Sequence, residues 1–331
     1  MKQFRTLNFF AIALCFVVVV FGAYVRLADA GLGCPDWPGC YGHVGIPDAT
    51  HEIQAAESKY PERPVEAPKA WKEMIHRYLA SGLGLVIVVM AFWSLRLRAA
   101  GAPRVLPWVL VGLVCFQGAL GMWTVTLLLK PAVVTAHLLG GMTTLSLLFW
   151  LWRSTAEVRA PMVATPKLKR LAVIGLIVVA MQIFLGGWTS TNYAALACPD
   201  LPTCHGQWLP KADFKEGFTL WRGLGQNYEF GVLNNDARVA IHLTHRIGAV
   251  VVTTALALLI AALFAAGGRW RAYGYAVLAA LSAQIIIGLS VVHWQLPLLL
   301  ADAHNAGAAV LLLTLLAVNR AVFPVTAAVR S

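Results

Sequence analysis

Eight long apolar stretches, each separated from the next by a polar break, constrain this chain more than any other feature. They run over about 8–27, 72–95, 105–127, 133–152, 169–191, 237–264, 272–295 and 300–322. Each approaches or exceeds the ~20 residues that cross ~30 Å of hydrocarbon. Only 12% of the 331 residues are charged and 59% are hydrophobic, about half the charge of an ordinary soluble domain. A soluble enzyme carrying one anchor is excluded. No water is present in hydrocarbon to satisfy an open backbone, so the spans are expected to be α-helices. The run Phe9 to Ala23 follows Lys2 and Arg5 like a signal peptide but is expected to be retained as the first span.

The net charge of +11 does not indicate nucleic-acid binding, because the basic residues lie in short blocks between apolar runs. Placing the amino terminus in the cytoplasm puts 14 of the 26 basic residues inside, against one acidic residue, Glu157. Arg159 and Arg330 belong to that inner set. The excess predicts both termini in the cytoplasm. The two long connections, 28–71 and 192–236, then lie outside.

The chain repeats itself. Cys34-Pro-Asp-Trp-Pro-Gly-Cys40 returns as Cys198-Pro-Asp-Leu-Pro-Thr-Cys204, 164 residues later. His76-Arg77 returns as His245-Arg246 at an offset of 169, and Gln117, Gly121 and His137 return as Gln284, Gly288 and His304 at 167. The expected fold is an all-α polytopic membrane protein, with eight transmembrane helices in two tandem, pseudo-twofold-related four-helix bundles. Residues 1–160 form one bundle and 161–331 the other, about an axis along the membrane normal.

Four of the nine histidines sit at matching places near the outer ends of spans two, four, six and eight. Two imidazoles facing each other across a bundle suit the axial positions of a haem iron. A single helix-end histidine more often bonds at the interface; duplication of both positions reverses that balance. Arg77 and Arg246 can pair with haem propionates. Three residues before His76 stands Glu73, whereas three before His245 stands His242. Residues i and i+3 share a helix face, so Glu73 is expected beside the first site, able to take up a proton or steady a cationic intermediate. This asymmetry suggests one bundle for chemistry and one for a held cofactor.

Cys15 and Cys115 read as packing residues. Cys34, Cys40, Cys198 and Cys204 fall in the outer loops, where each pair is expected to form a local disulfide; a structural staple and a redox-active pair remain equally open. His43, His51, His205 and His293 are not assigned as ligands.

These residues together resemble the haem A synthase family: Gly22-Ala-Tyr-Val-Arg-Leu27 followed by Gly31-Leu-Gly-Cys34, then Glu73-Met-Ile-His76-Arg77, His137, His245-Arg246 and His304-Asn-Ala-Gly307. The resemblance implies that the first bundle accepts haem O on His76 and His137 with Glu73 as catalytic residue. It implies haem b on His245 and His304 in the second. The implied reaction oxidises the C8 methyl of haem O by two successive hydroxylations to the formyl group of haem A, for terminal oxidases. Implied surroundings are a bacterial inner membrane with the cysteine loops on the periplasmic side, membrane lipid, a haem O synthase and an electron acceptor. Self-association into a homo-oligomer stays open. The rival reading is a quinol-linked dihaem b-type cytochrome; a disulfide-generating oxidoreductase and a transporter fit fewer of the residues.

Overall fold

A computed structural model describes residues 1–155 and 162–324. Glu157, Arg159, Arg330 and the expected border between residues 160 and 161 lie outside the described residues. Within them the chain forms α1 (Lys2–Leu27), α2 (Thr50–Lys59), α3 (Ala67–Arg96), α4 (Leu106–Thr126), α5 (Pro131–Ser154), α6 (Pro166–Thr191), α7 (Phe214–Gly217), α8 (Asn235–Ala266), α9 (Trp270–His293) and α10 (Leu298–Val322). Eight of these, all but α2 and α7, are long and apolar enough to cross a membrane. The protein is an all-helical, multi-pass membrane protein.

Local chemistry sets the helix ends. Pro68, Pro107, Pro131 and Pro166 stand in the first turns of α3, α4, α5 and α6, where a missing N–H costs nothing. Thr165 accepts from the Leu168 N–H at 3.2 Å, and Asn234 from the Ala237 N–H at 2.9 Å, capping α6 and α8. The α4–α5 turn places Leu128 and Leu129 at φ 53° and 59°; the α9–α10 turn places Gln295 and Leu296 at 54° and 64°. Left-handed backbone is costly for such residues. In compensation, the Leu129 N–H reaches Thr124 O at 2.8 Å and the Leu296 N–H reaches Val291 O at 2.7 Å, which satisfies carbonyls at the helix ends.

In the first half, α1 packs on α3, α3 on α4, α4 on α5 and α5 back on α1. In the second, α6 packs on α8, α8 on α9, α9 on α10 and α10 back on α6. Contacts of α1 and α5 with α10, and of α5 with α6, join the halves. Leu145, Leu148 and Leu151 of α5 and Leu256, Leu259 and Leu263 of α8 are fully buried in one continuous apolar cluster. Lipid is as apolar as leucine, so close approach and polar ties carry the association. At Gly175 a Cβ would lie 2.9 Å from Leu256 Cδ2, and Asn319 Nδ2 of α10 donates to Ala172 O of α6 at 2.9 Å. Cys15 is buried as expected; Cys115 is exposed on α4 and is not a packing residue.

Both long connections fold back over the helix ends. In the first, α2 packs on a small core of Tyr41, Ala56, Ala70 and Met74. The second reaches across to the first half. The Tyr228 N–H bonds Leu128 O at 3.0 Å, and the buried Lys130 places Nζ 2.5 Å from Arg222 O and 3.2 Å from Gly223 O. Arg26 donates to Ser190 O at 2.9 Å.

Candidate functional site: paired histidines beneath two clamped loops

His76 of α3 and His137 of α5 stand edge to face with ring centroids 6.5 Å apart. They project from helices that are diagonal in the ring of four, so the pair spans the bundle interior. His245 of α8 and His304 of α10 occupy the matching diagonal of the second half. Nδ1 of His76, His137 and His304 is buried without a hydrogen-bond partner. Buried polar atoms are seldom left so.

Each of the four rings lies against a glycine of a neighbouring helix. A Cβ on Gly22 would sit 2.7 Å from His76 Cε1, one on Gly121 3.6 Å from His137 Cε1, one on Gly186 3.3 Å from His245 Cε1, and one on Gly288 2.8 Å from His304 Cε1. The absent side chains make the cradles in which the rings stand. The two histidines of the second half are also secured by a glutamine from a neighbouring helix. Gln182 Nε2 donates to His245 O at 2.9 Å and lies 3.1 Å from His245 Nδ1. Gln284 Nε2 donates to His304 O at 3.0 Å. Gln117, Gln182 and Gln284 rest on Gly140, Gly248 and Gly307, each three residues beyond a histidine. The first half lacks both ties: Gln117 Nε2 is buried without a partner, and at His76 Val18 and Leu79 stand where the second half has Gln182 and Gly248.

Above the histidines, each cysteine loop is closed by its own disulfide, Cys34–Cys40 and Cys198–Cys204, and clamped by an arginine. Arg77 donates to Asp36 O at 3.1 Å, Pro38 O at 3.2 Å and Gly39 O. Arg246 donates to Asp200 O at 2.9 Å, Thr203 O at 2.8 Å and Cys198 O at 2.6 Å. These guanidinium groups, expected to meet propionates, are thus engaged with loop carbonyls.

The Glu73–His242 asymmetry serves the same joint. Glu73, 5% exposed, accepts from the Cys34 N–H at 2.9 Å and pairs with Arg77 at 2.5 Å. His242 receives the Cys198 N–H on Nδ1 at 3.2 Å and faces Arg246 Nε with Nε2 at 3.2 Å. A carboxylate can accept both bonds, whereas a neutral imidazole has one acceptor nitrogen. Arg77 therefore pairs with a carboxylate at this joint and Arg246 with an imidazole.

Sequence reasoning missed Asp36 and Asp200, the third residues of the repeated cysteine motif. Asp36 accepts from the Tyr41 N–H at 2.6 Å and the Gly42 N–H at 2.7 Å; Asp200 accepts from the His205 N–H at 2.6 Å and the Gly206 N–H at 2.9 Å. The Thr203 hydroxyl, 2.5 Å from Asp200, and then these loop N–H groups hold the Asp200 carboxyl well below the usual carboxylate range. Repetition of the aspartate inside the motif was the available signal. His205 Nε2 lies 2.9 Å from Ala197 O, and His43 lies 4.0 Å from Glu52; neither joins a histidine pair. Among the described residues, no three His, Cys, Asp or Glu side chains converge as a metal cluster. The unit is the pair.

Fold and site define a multi-pass helical membrane protein with two similarly built histidine pairs beneath disulfide-closed loops. The chain belongs to the COX15-CtaA family of cytochrome oxidase assembly proteins, which it matches over residues 5–316. It is 48% identical over 305 residues to the haem A synthase of Shewanella oneidensis, covering 92% of each chain. It is 28% identical to that of Allorhizobium ampelinum, over 90% of this chain and 84% of the relative. With Methylobacterium radiotolerans haem A synthase it shares 29%, over 91% and 85% of the two chains. It is accordingly an enzyme of haem A biosynthesis.

Proposed function

We propose that this protein oxidises the C8 methyl group of haem O to the formyl group of haem A. Two successive hydroxylations give a geminal diol, which loses water. Haem O is the substrate of the first bundle, between His76 and His137, and haem b resides in the second, between His245 and His304. The observation that carries this reading is the 6.5 Å between the His76 and His137 ring centroids. A metal bonded to one nitrogen of each ring at about 2 Å, a usual imidazole distance, occupies a gap of that size. The glycine cradles and the orphaned ring nitrogens fit the same group.

Haem b, when bound, supplies one-electron transfer. The residues of this chain do the rest. His76 and His137 hold the substrate by its iron and so fix where its edge lies. Glu73, three residues before His76, is the proton-handling carboxylate, held at the loop base by the Cys34 N–H and Arg77. Arg77 and Arg246 hold the disulfide-closed loops across the outer end and bring positive charge to the side where propionates sit. The glutamine ties on His245 and His304 suit a resident cofactor. The lack of such ties on His76 and His137 suits a group that enters and leaves. The two rings of helices act as tandem, pseudo-twofold-related bundles, with both termini in the cytoplasm and the cysteine loops in the periplasm. A haem O synthase supplies the substrate, and a separate acceptor takes the electrons.

The test is pigment extraction from the purified protein, with a pyridine haemochrome spectrum and chromatography. Haem b together with haem O or haem A is expected. Haem b alone in both sites would support the dihaem cytochrome instead, and absence of haem would remove both readings.

A further inference from the structure

On the face of the molecule where α10 lies between α5 of the first half and α9 of the second, a groove of about 400 Å³ opens outward. Phe149 of α5, Tyr273 and Ala276 of α9, and Val310, Thr314 and Ala317 of α10 line it. Thr314 spends its hydroxyl on Val310 O at 2.8 Å, so the lining is apolar in effect. Val310 and Ala317 lie 6 and 13 residues beyond His304, which is roughly 9 and 20 Å along a helix rising 1.5 Å per residue. The groove therefore occupies the opposite half of the membrane thickness from the histidine pairs.

All three helices that line the groove reach an arginine one turn further towards the same membrane surface. Arg153 follows Phe149 by four residues, Arg320 follows Ala317 by three, and Arg269 precedes Tyr273 by four; these spacings share a helix face. Nε of Arg153 and Nε of Arg320 are each buried without a partner. Among the described residues Arg320 meets Phe323 O at 3.3 Å and stands 5.8 Å from the ring of Trp150, three residues before Arg153 on α5. Neither pairs with a carboxylate among the described residues. Two cations at the end of an apolar groove, each with a buried nitrogen lacking a partner, call for an anion.

We propose that this groove binds an anionic phospholipid, with its phosphate on Arg153 and Arg320 and an acyl chain running from Ala317 towards Val310. The order of chemistry favours this occupant: charge at the membrane surface and apolar lining towards the midplane match a lipid of that leaflet. A zwitterionic lipid does not offset the arginines, and a free anion leaves the groove unfilled.

Native mass spectrometry of the full-length protein in detergent tests this, with dioleoyl phosphatidylglycerol and dioleoyl phosphatidylcholine added in turn. We expect phosphatidylglycerol to be retained at least ~10-fold over phosphatidylcholine, as differential charge recognition requires. Arg153→Gln with Arg320→Gln should abolish the preference, and Thr314→Trp, which fills the groove and leaves the charges, should abolish retention. Circular dichroism and haem content report whether each variant is folded. Equal retention of the two lipids by the unaltered protein overturns the proposal whatever the variants do. So does displacement of bound phosphatidylglycerol by glycerol phosphate, which would mark an ion site only. A charge variant that keeps its preference, or one that loses substrate haem instead of lipid, also overturns it.

Discussion

Glu73 and His242 occupy equivalent positions and receive equivalent loop N–H groups, yet only the carboxylate can satisfy the loop and the arginine together. This makes anchoring and chemistry separable by substitution. Glu73→His reproduces the second half's anchor without a carboxylate, while Glu73→Gln keeps the shape and an acceptor for the Cys34 N–H. If Glu73 handles protons, both variants should retain both haems and lose about 10²-fold or more in conversion of haem O to haem A. Chromatography of haems extracted from cells expressing each variant reads this. A wild-type haem A yield from Glu73→His would reduce Glu73 to a loop anchor.

Among the helices, the governing device is the pairing of each histidine with a glycine on the next helix. The helix start signals and turn geometry bring the two to one depth, and the missing Cβ lets the ring stand between helices. Gly288 is the sharpest test on the cofactor side, because a Cβ there would lie 2.8 Å from His304 Cε1, closer than atoms in contact approach. Gly288→Ala should leave helical content unchanged by circular dichroism, since alanine is the better helix former. It should lower the haem b recovered per polypeptide and shift its spectrum, because the ring must turn or move. Full occupancy with an unchanged spectrum would detach Gly288 from the site.

The whole molecule is two helix rings tied together twice, by packing through α1, α5, α6 and α10 and by the second long connection lying across the first half. Lys130 is the tie's most exacting element. Its side chain is 1% exposed, its ammonium lies on two loop carbonyls, and the Trp221 ring stands 3.6 Å away. Hydrogen bonds from a charged group are worth about 1.5–3 kcal/mol each, and the cation–π contact adds roughly 0.5–2 kcal/mol. Lys130→Met keeps the apolar stem and removes these bonds. It should speed limited proteolysis between residues 219 and 231 by several-fold, with haem b content retained. Cleavage no faster than in the unaltered protein would show that the loop is held elsewhere.

How far the sequence reached follows from the range of each interaction. The spans were legible because hydrocarbon thickness and backbone hydrogen bonding act on local segments; the eight apolar runs and the eight helices differ by only a few residues at their ends. The histidine and cysteine positions were legible because duplication wrote them twice at nearly one offset. The α2 helix was not, since its residues carry no strong periodicity and it packs against the cysteine loop and the first turns of α3. The direction of the arginines was not legible either. Charge alone suggested propionates as partners and did not reveal that the folded loops turn their carbonyls towards Arg77 and Arg246. Gln182 and Gly186 drew no notice, and Gly22 was marked only as part of a motif, because their roles exist only where two helices touch. Segment chemistry thus determined what each stretch becomes and which side chains matter. Tertiary structure decided what those side chains hold, because a donor's partner is chosen by proximity in space, and only packing brings residues far apart in the chain within 3 Å.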